Sequence, residues 1–283
     1  LEDRWILSRL QAAIATVHGH LLAYNPSAAI GAARDFFWNE LCDWYLEMIK
    51  PRCRDGAAGD ARETAEQVLA AVLDQTLRLL HPFVPFLTET LWSKLRELAP
   101  VRGIEAPFAD SELLVHATWP TGGGWQAPAV EPQIAAMQQW CVALREVRAR
   151  YQVAPKDRPQ ARFAATGADA AVLHAVAPLL AHMSGLGDVQ IAADAQRTKD
   201  SATVVLGATK VFLLGVVDLQ KEQAKLLKEA DKLRQQIAGI EKKLGNEGFV
   251  AKAPPAVIEK ERASLTALQA QLAGIEQSLR ELQ

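Results

Sequence analysis

Nucleophiles, general bases and metal ligands are scattered along this sequence. It holds six histidines and three cysteines in 283 residues. Cys42, Cys53 and Cys141 lie far apart with no Cys-x-x-Cys pair, which predicts neither a disulfide framework nor a zinc site and suits a reducing compartment. His81 has no partner at ligand spacing, and no glycine-rich phosphate loop occurs. The expectation is a chain with no catalytic residue, no metal and no cofactor of its own.

Two other patterns suit non-covalent chemistry. Lys221, Lys225, Lys228 and Lys232 follow one another at steps of four, three and four, which puts them in one stripe along a helix. Lys242, Lys243, Lys252, Lys260 and Arg262 cluster nearby, with Asn246 and Phe249 among them. Such a stripe neutralises phosphates. It is equally the solvated flank of a coiled coil, since Glu222, Glu229 and Glu241 interleave with it. The second pattern is Arg34, Trp38 and Asn39, off the apolar phase of their helix, where an aromatic ring and an amide can stack on and read unpaired bases.

Elements to position these residues are legible from periodicity. Ile6, Leu10, Ile14, Val17 and Leu21 mark a first helical face. Asn25-Pro26-Ser27 restarts the chain into a helix with Ile30, Ala33, Phe37, Leu41, Trp44 and Met48 inward, which Pro51 is expected to end. After the turn-like 54–59, a third helix over 61–80 turns Ala65, Val68, Val72, Thr76 and Leu79 inward. A fourth follows Leu80-His81-Pro82-Phe83-Val84-Pro85, with Leu87, Leu91 and Leu95 on its inner face and Phe83, Phe86 and Trp92 packed inside. Leu113–Ala117 reads as a short strand. Thr121-Gly122-Gly123-Gly124 has the composition of a linker. Beyond it come a helix over 132–151, an extended stretch at 161–165, a helix over 169–183 and β-like runs at 189–192, 203–206 and 211–216, together a small α+β unit.

From Asp218 the texture is heptad. Leu226, Ala230, Leu233, Ile237, Ile240 and Leu244 form one seam, and Glu261, Leu265, Leu268, Leu272, Ile275, Leu279 and Leu282 form another. Gly245, Asn246, Gly248, Pro254 and Pro255 break the helix between them. Folding back there pairs Leu226 with Ile275, Leu233 with Leu268 and Ile240 with Glu261, with no slip in register. The predicted fold is mainly α: a helical bundle over 1–120, a small α+β subdomain over 121–217, and an antiparallel two-helix coiled coil over 218–283, each arm about 40 Å long.

Three stretches carry a family resemblance. His81-Pro82-Phe83-Val84-Pro85-Phe86-Leu87-Thr88-Glu89-Thr90-Leu91-Trp92 resembles the His-Pro-x-x-Pro-Phe-x-Thr-Glu-x-Leu-Trp segment of the helical anticodon-binding domains of class I valyl-, isoleucyl- and leucyl-tRNA synthetases. Trp38-Asn39-Glu40-Leu41-Cys42-Asp43-Trp44-Tyr45-Leu46-Glu47 is similar to a segment found especially in the valyl branch, and Asp3-Arg4-Trp5-Ile6-Leu7-Ser8-Arg9-Leu10 looks like that domain's Asp-Arg-Trp-x-x-Ser-Arg-Leu helix. Lys243-Leu244-Gly245-Asn246-Glu247-Gly248-Phe249-Val250-Ala251-Lys252-Ala253-Pro254, continuing to Glu261, resembles the turn of the C-terminal valyl-tRNA synthetase coiled coil, which the isoleucyl and leucyl enzymes lack.

The resemblance implies a tRNA-holding role. Arg9, Arg34, Trp38 and Asn39 would face the anticodon. The stripe and turn residues, from Lys221 to Arg262, would lie against the outer corner where the D and T loops meet. The partner implied is tRNA(Val), with no DNA and no membrane, and the setting is cytoplasmic. Stretches like His-Ile-Gly-His and Lys-Met-Ser-Lys-Ser, which handle ATP and magnesium chemistry in such enzymes, do not occur, and neither does an editing domain for threonyl-tRNA. The family also has a helix before the Asp-Arg-Trp stretch that this sequence lacks, so the bundle is expected to expose apolar surface and to self-associate, although the intact enzymes are monomeric. A free-standing coiled-coil scaffold, or a tRNA-binding module without an enzymatic role, is the competing reading. The net charge of −2 places any polyanion contact in local patches rather than in a global field.

Overall fold

The computed structural model describes residues 1–54, 59–245 and 255–282. Its elements in chain order are α1 (Glu2–Leu22), α2 (Pro26–Asp35), a π-helical stretch (Phe36–Tyr45), α3 (Leu46–Cys53), α4 (Asp60–Leu80), α5 (Pro85–Leu98), a 3₁₀ turn (Leu114–His116), α6 (Glu131–Arg150), β1 (Ala161–Ala164), α7 (Gly167–Ser184), β2 (Val189–Ala192), β3 (Ala202–Leu206), β4 (Thr209–Leu213), α8 (Leu219–Leu244) and α9 (Pro255–Leu282). They fall into two units, Leu1–Arg145 with Gly167–Leu186, and Glu146–Thr166 with Gly187–Gln283.

In the first unit α1 buries the predicted Ile6, Leu10, Ile14 and Val17, together with Trp5, Leu7, Ser8 and Ala13, while the expected Leu21 is only half-buried. Asn25 caps α2, accepting from the Ala28 N–H at 3.1 Å, and Pro26 sits at the first helical position, where its missing N–H costs nothing. The chain then runs helically to Cys53, so Pro51 lies inside α3 rather than ending it. A proline there cannot donate to the carbonyl of Glu47 four residues back. His182 of α7 fills the gap: its Nε2 lies 2.9 Å from the Glu47 carbonyl oxygen and so carries the proton it donates.

The inward residues of this long helix also differ from the expected ones. Ala33, Phe36, Leu41, Tyr45 and Met48 are buried, whereas Phe37 and Trp44 are half-buried and Ile30 is exposed. The cause is the π-helical stretch. Its i→i−5 bonding, seen in the Leu46 N–H on the Leu41 carbonyl, puts a five-residue step between Phe36 and Leu41. Phe36 and Tyr45 turn inward in place of Phe37 and Trp44, while Leu41 and Met48 stay inward as expected.

α4 turns in the predicted Ala65, Val68, Val72, Thr76 and Leu79. It also buries Asp74, whose two carboxylate oxygens accept from Arg78 Nε at 2.7 Å and Arg102 Nε at 2.8 Å. Both guanidiniums stack on the indole of Trp92, at 5.0 and 4.7 Å from its centroid. Their remaining donors go to the backbone carbonyls of Thr118, Ala109 and Ala99, the Thr118 hydroxyl and the Asp110 carboxylate. The buried pair therefore stitches the 99–118 loop to α4.

α5 presents Thr88, Trp92 and Leu95 inward, one residue out of phase with the expected Leu87 and Leu91. Phe86 is 90% exposed rather than packed inside, with Leu87 and Leu91 beside it on the outer face. Leu113–Ala117 is not a strand. The Leu114 and Val115 N–H groups donate to the Glu89 carboxylate, so they are not available to a ladder, and the segment closes as a turn.

Thr121–Gly124 has linker composition yet is tied down. Gln11 Oε1 accepts from the Gly123 and Gly124 N–H groups at 2.9 and 3.2 Å, and Ser8 Oγ accepts from Ala127 N–H at 2.9 Å. Gly122 sits at φ +80, and a Cβ there would collide with the Gln11 side chain, so only glycine fits.

The second unit contains a four-stranded sheet in the order β2-β1-β4-β3, with β1 and β2 parallel and the other neighbours antiparallel. Ala161, Phe163, Val211 and Leu213 form its buried face. The expected Val211–Val216 run is shorter, ending at Leu213. α8 and α9 pair as the antiparallel hairpin that the seams require. Ala230, Leu233, Ile237 and Leu279 are buried along it. Arg234 bonds Glu276 at 2.8 Å, nine residues beyond Ala267, which the predicted pairing sets opposite it. Lys243 reaches Glu261 at 3.4 Å, three residues beyond its predicted partner, so the register is displaced from the expected one. The 26 residues of α8 give an arm of about 39 Å.

Candidate nucleic-acid interface

The π-helical stretch carries the first candidate surface. Phe36 and Tyr45 turn into the core there, while Trp38 is 56% exposed and Asn39 lies on the outside. Trp38 is steadied by an edge contact with Phe37, ring centroids 5.1 Å apart. An exposed indole braced by one neighbour loses little rotamer freedom on stacking against a base. Arg34, one turn earlier, pairs only with its neighbour Asp35 at 3.1 Å, both side chains open to solvent. That exposed pair holds the guanidinium weakly and is readily exchanged for a phosphate.

Asn39 also lines a cleft of about 410 Å³ with Trp5, Arg9, Glu40, Trp44 and Glu131. Arg9 is held there on the protein's side. Its guanidinium makes a fork to Glu40 at 2.7 and 2.9 Å and a third bond to Glu131 at 3.2 Å. The hydrogen bonds to Glu40, more than the opposing burial, push its pKa above the ordinary arginine value. Glu131 in turn accepts from Ser8 Oγ at 2.6 Å. Thus α1, the π-helical stretch and the start of α6 are bolted together through Arg9, and the cleft is preformed. The acidic partners of Arg9 are what sequence reading missed. Glu40 belongs to a singled-out motif, but Glu131 lies 122 residues away and gives no local signal.

A second charged cluster borders this unit. Asp3 accepts from Arg52 at 2.6 and 2.7 Å and from Tyr45 Oη at 2.8 Å. Burial alone would raise the Asp3 carboxyl, but the bonds from Arg52 and Tyr45 and the charge of Arg52 outweigh it and hold the carboxyl below its usual value. Burial, then the charge of Asp3, pushes the Tyr45 phenol far up, so it stays protonated and donates. This cluster ties α1 to the end of the long helix and carries no free cation. Burial likewise raises the thiols of Cys42 and Cys141, which argues against nucleophilic roles.

The arm is the second candidate surface. Lys228 and Lys232 stand four residues apart on one exposed face of α8, and Lys242 and Arg262 are exposed near its far end. Among the described residues no carboxylate lies within ion-pair distance of Lys228, Lys232, Lys242 or Arg262. Lys243 is the exception, shared with Glu261. The backbone of Lys221 and Lys225 lies on α8 and that of Lys260 on α9, in keeping with the predicted stripe, while their side chains fall outside the description. Asn246, Phe249 and Lys252 lie outside the described residues. No group of three or more potential metal ligands comes together among the described residues, and no helix is long and apolar enough to cross a membrane.

Comparison with known proteins identifies families for the first and last segments. Residues 3–163 match the family described as the anticodon-binding domain of tRNA ligase, and residues 218–283 match the valyl tRNA synthetase tRNA binding arm. Among curated relatives, the valine–tRNA ligase of Rhodopirellula baltica is 34% identical over 288 residues, covering 100% of this chain and 28% of that protein. The valine–tRNA ligase of Thermosynechococcus vestitus is 36% identical, covering 99% of the chain and 30% of the relative. That of Nocardia farcinica is 37% identical with the same coverage, 99% and 30%. The chain thus spans less than a third of the length of these relatives.

Proposed function

Since this chain belongs to the tRNA-ligase anticodon-binding family, in its valyl branch, we propose that it is the tRNA-holding C-terminal part of a valine–tRNA ligase. In this reading the bundle receives the anticodon loop of tRNA(Val), with Trp38 stacking on a base, Asn39 reading one and Arg34 meeting a phosphate. Arg9 shapes that surface from behind through Glu40 and Glu131. The carboxylate-free cations of the arm, Lys228, Lys232, Lys242 and Arg262, with the rest of the stripe, neutralise phosphates at the outer corner of the tRNA. ATP, magnesium, the joining of valine to tRNA and the removal of threonine belong to the remaining two thirds of such an enzyme. Its working place is the cytoplasm. A hydrophobic pocket separates valine from its hydroxyl isostere threonine poorly, which is why such an enzyme needs editing at all.

The observation that carries this reading is the pairing, on one chain, of an exposed indole in the first segment with four exposed cations in the last, Lys228, Lys232, Lys242 and Arg262, which have no carboxylate within ion-pair distance among the described residues. A mobility-shift titration with valine tRNA and a non-cognate tRNA, at about 50 and about 200 mM salt, tests it. Binding that favours valine tRNA and weakens steeply with salt is the expected result. No binding even at the lower salt contradicts it.

A further inference from the structure

The densest basic stretch outside the arm is 145–162, where Arg145, Arg148, Arg150, Lys156, Arg158 and Arg162 stand against only Glu146 and Asp157. Part of it lines an open cleft of about 570 Å³ in the second unit, walled by Tyr151, Gln152, Lys156, Asp157, Arg158 and Leu214–Val216. The sequence motifs did not touch this segment, and neither surface described above uses it.

The cleft is built rather than incidental. α6 ends in a turn in which Gln152 takes the left-handed conformation, φ 53, usually left to glycine, while Val153 N–H reaches back to the Arg148 carbonyl at 2.9 Å. Arg148 then points its guanidinium into the loop it precedes, donating to the carbonyls of Ala154 and Asp157, both at 3.1 Å. The loop's far end is braced as well: Gly187 N–H donates to the Pro159 carbonyl at 3.0 Å, and Leu214 N–H to that of Gln160 at 2.9 Å. A side chain at Gly187 would strike the Arg158 carbonyl oxygen, 2.6 Å from where its Cβ would stand.

This bracing holds Lys156 and Arg158 on the loop, on either side of Asp157 in sequence, whose charge partly offsets the like-charge repulsion felt by Arg148. Among the described residues, no carboxylate lies within ion-pair distance of Lys156 or Arg158, and both are exposed. The Arg148 guanidinium is pulled down from its ordinary value, by burial first and then by the like charge of Arg158. Such an arrangement favours an external anion. Beside the cations stands the ring of Tyr151, 38% exposed, so the wall combines phosphate ligands with a stacking surface. Val216 is followed by Val217 and Asp218 and then by α8, so one wall of the cleft immediately precedes the arm in the chain.

We infer that the cleft of Tyr151, Lys156 and Arg158 is a further RNA-binding site, in which the lysine and arginine neutralise backbone phosphates of the bound tRNA and the tyrosine stacks on an unpaired nucleotide. The inference rests on the tRNA-holding role proposed above and adds a third contact to it. Arg148 is a positioning residue, since its donors are spent on the loop.

The test uses the whole 283-residue chain. Valine tRNA affinity is measured across a salt series for the Lys156→Gln/Arg158→Gln double variant, for Tyr151→Ala and Tyr151→Phe, and for Lys199→Gln as an exposed control outside the cleft. Circular dichroism melts confirm folding. Losing two phosphate contacts is expected to lower affinity about 10- to 100-fold at low salt and to flatten the log–log salt slope by about two. Tyr151→Ala is expected to lose about ten-fold and Tyr151→Phe to keep wild-type affinity. Lys199→Gln is expected to leave slope and affinity near wild type.

A double variant that behaves like Lys199→Gln overturns the inference. If Lys228→Gln/Lys232→Gln weakens binding at the same time, the tRNA-holding role survives that loss. If the wild-type chain binds no tRNA at low salt, both fall together. Titration with adenosine monophosphate separates a mononucleotide pocket from an RNA site. Saturable, tight binding of the mononucleotide that the double variant loses would also overturn the assignment to RNA.

Discussion

Trp38 separates the structural from the functional role of an aromatic side chain more cleanly than any other residue of the bundle. Its indole is more than half exposed, so Trp38→Ala removes little buried surface and is expected to change stability by less than about 0.5 kcal/mol in urea unfolding. The same change is expected to weaken tRNA binding about ten-fold, the worth of one stacked base. Equal affinity of the two proteins would remove Trp38 from the interface. Asp3 is the opposite kind of residue, structural and titratable. Its folded pKa is depressed below 3.8, so the stability it brings is fully present above that value and is lost as the pH falls through the folded pKa. Asp3→Asn is therefore expected to be less stable than wild type at neutral pH, by about 1–3 kcal/mol for the lost bonds to a charged group. The two stability curves should converge in acid, once the wild-type carboxyl is protonated. Parallel curves down to the acid transition would show that Arg52 does not depend on the carboxylate. Asp74 is structural too, holding two buried guanidiniums against Trp92, and marks how much buried charge serves only to shape the loop after α5.

Among the elements, the long helix from Pro26 to Cys53 shows what periodicity reveals and where it stops. Its existence and its start at Asn25 follow from local rules, capping and proline placement, and these were readable. Its inner face was not, because one π-helical stretch rotates Phe36 and Tyr45 inward in place of Phe37 and Trp44, and a count at 3.6 residues per turn cannot sense the extra residue. Trp38 and Asn39 face outward on either count, at 3.6 residues per turn or with the π-helical stretch, although the core beside them was assigned one step off. The end of the helix was misplaced for another reason. Pro51 breaks a bond that His182, 135 residues away from Glu47, supplies from α7. A double-mutant cycle isolates this. His182→Leu is expected to cost about 1–3 kcal/mol by leaving the Glu47 carbonyl unsatisfied. In a Pro51→Ala background, where a backbone N–H can take that carbonyl, the loss should be smaller. Additive effects in thermal denaturation would contradict the account. The hairpin was legible as an element, since two heptad seams and a breaker announce it, but its register was not. Arg234 meets Glu276 nine residues from the position the seam count assigns, because two heptad seams also match when slid by a repeat. Thr121–Gly124 was the least legible: composition says linker, and only Gln11 and Ser8, more than a hundred residues distant, make it a fixed strap.

Over the whole molecule, the net charge of −2 means that polyanion binding must come from patches where acidic neighbours are missing or already engaged. The structure supplies such patches in both units. In the first, Glu40 and Glu131 are engaged by Arg9, which leaves Trp38, Asn39 and Arg34 to face outward. In the second, Arg234 and Lys243 are engaged by Glu276 and Glu261, while among the described residues no carboxylate lies within ion-pair distance of Lys228, Lys232 or Lys242. The proposed role therefore requires one tRNA to be touched in two separate regions by one chain. Hydroxyl-radical footprinting of valine tRNA with this chain at low salt measures that directly. Protection is expected at the anticodon loop and at the outer corner where the D and T loops meet, with Trp38→Ala losing the first footprint and Lys228→Gln/Lys232→Gln the second. Uniform weak protection along the whole tRNA, or footprints that neither variant alters, would contradict the account.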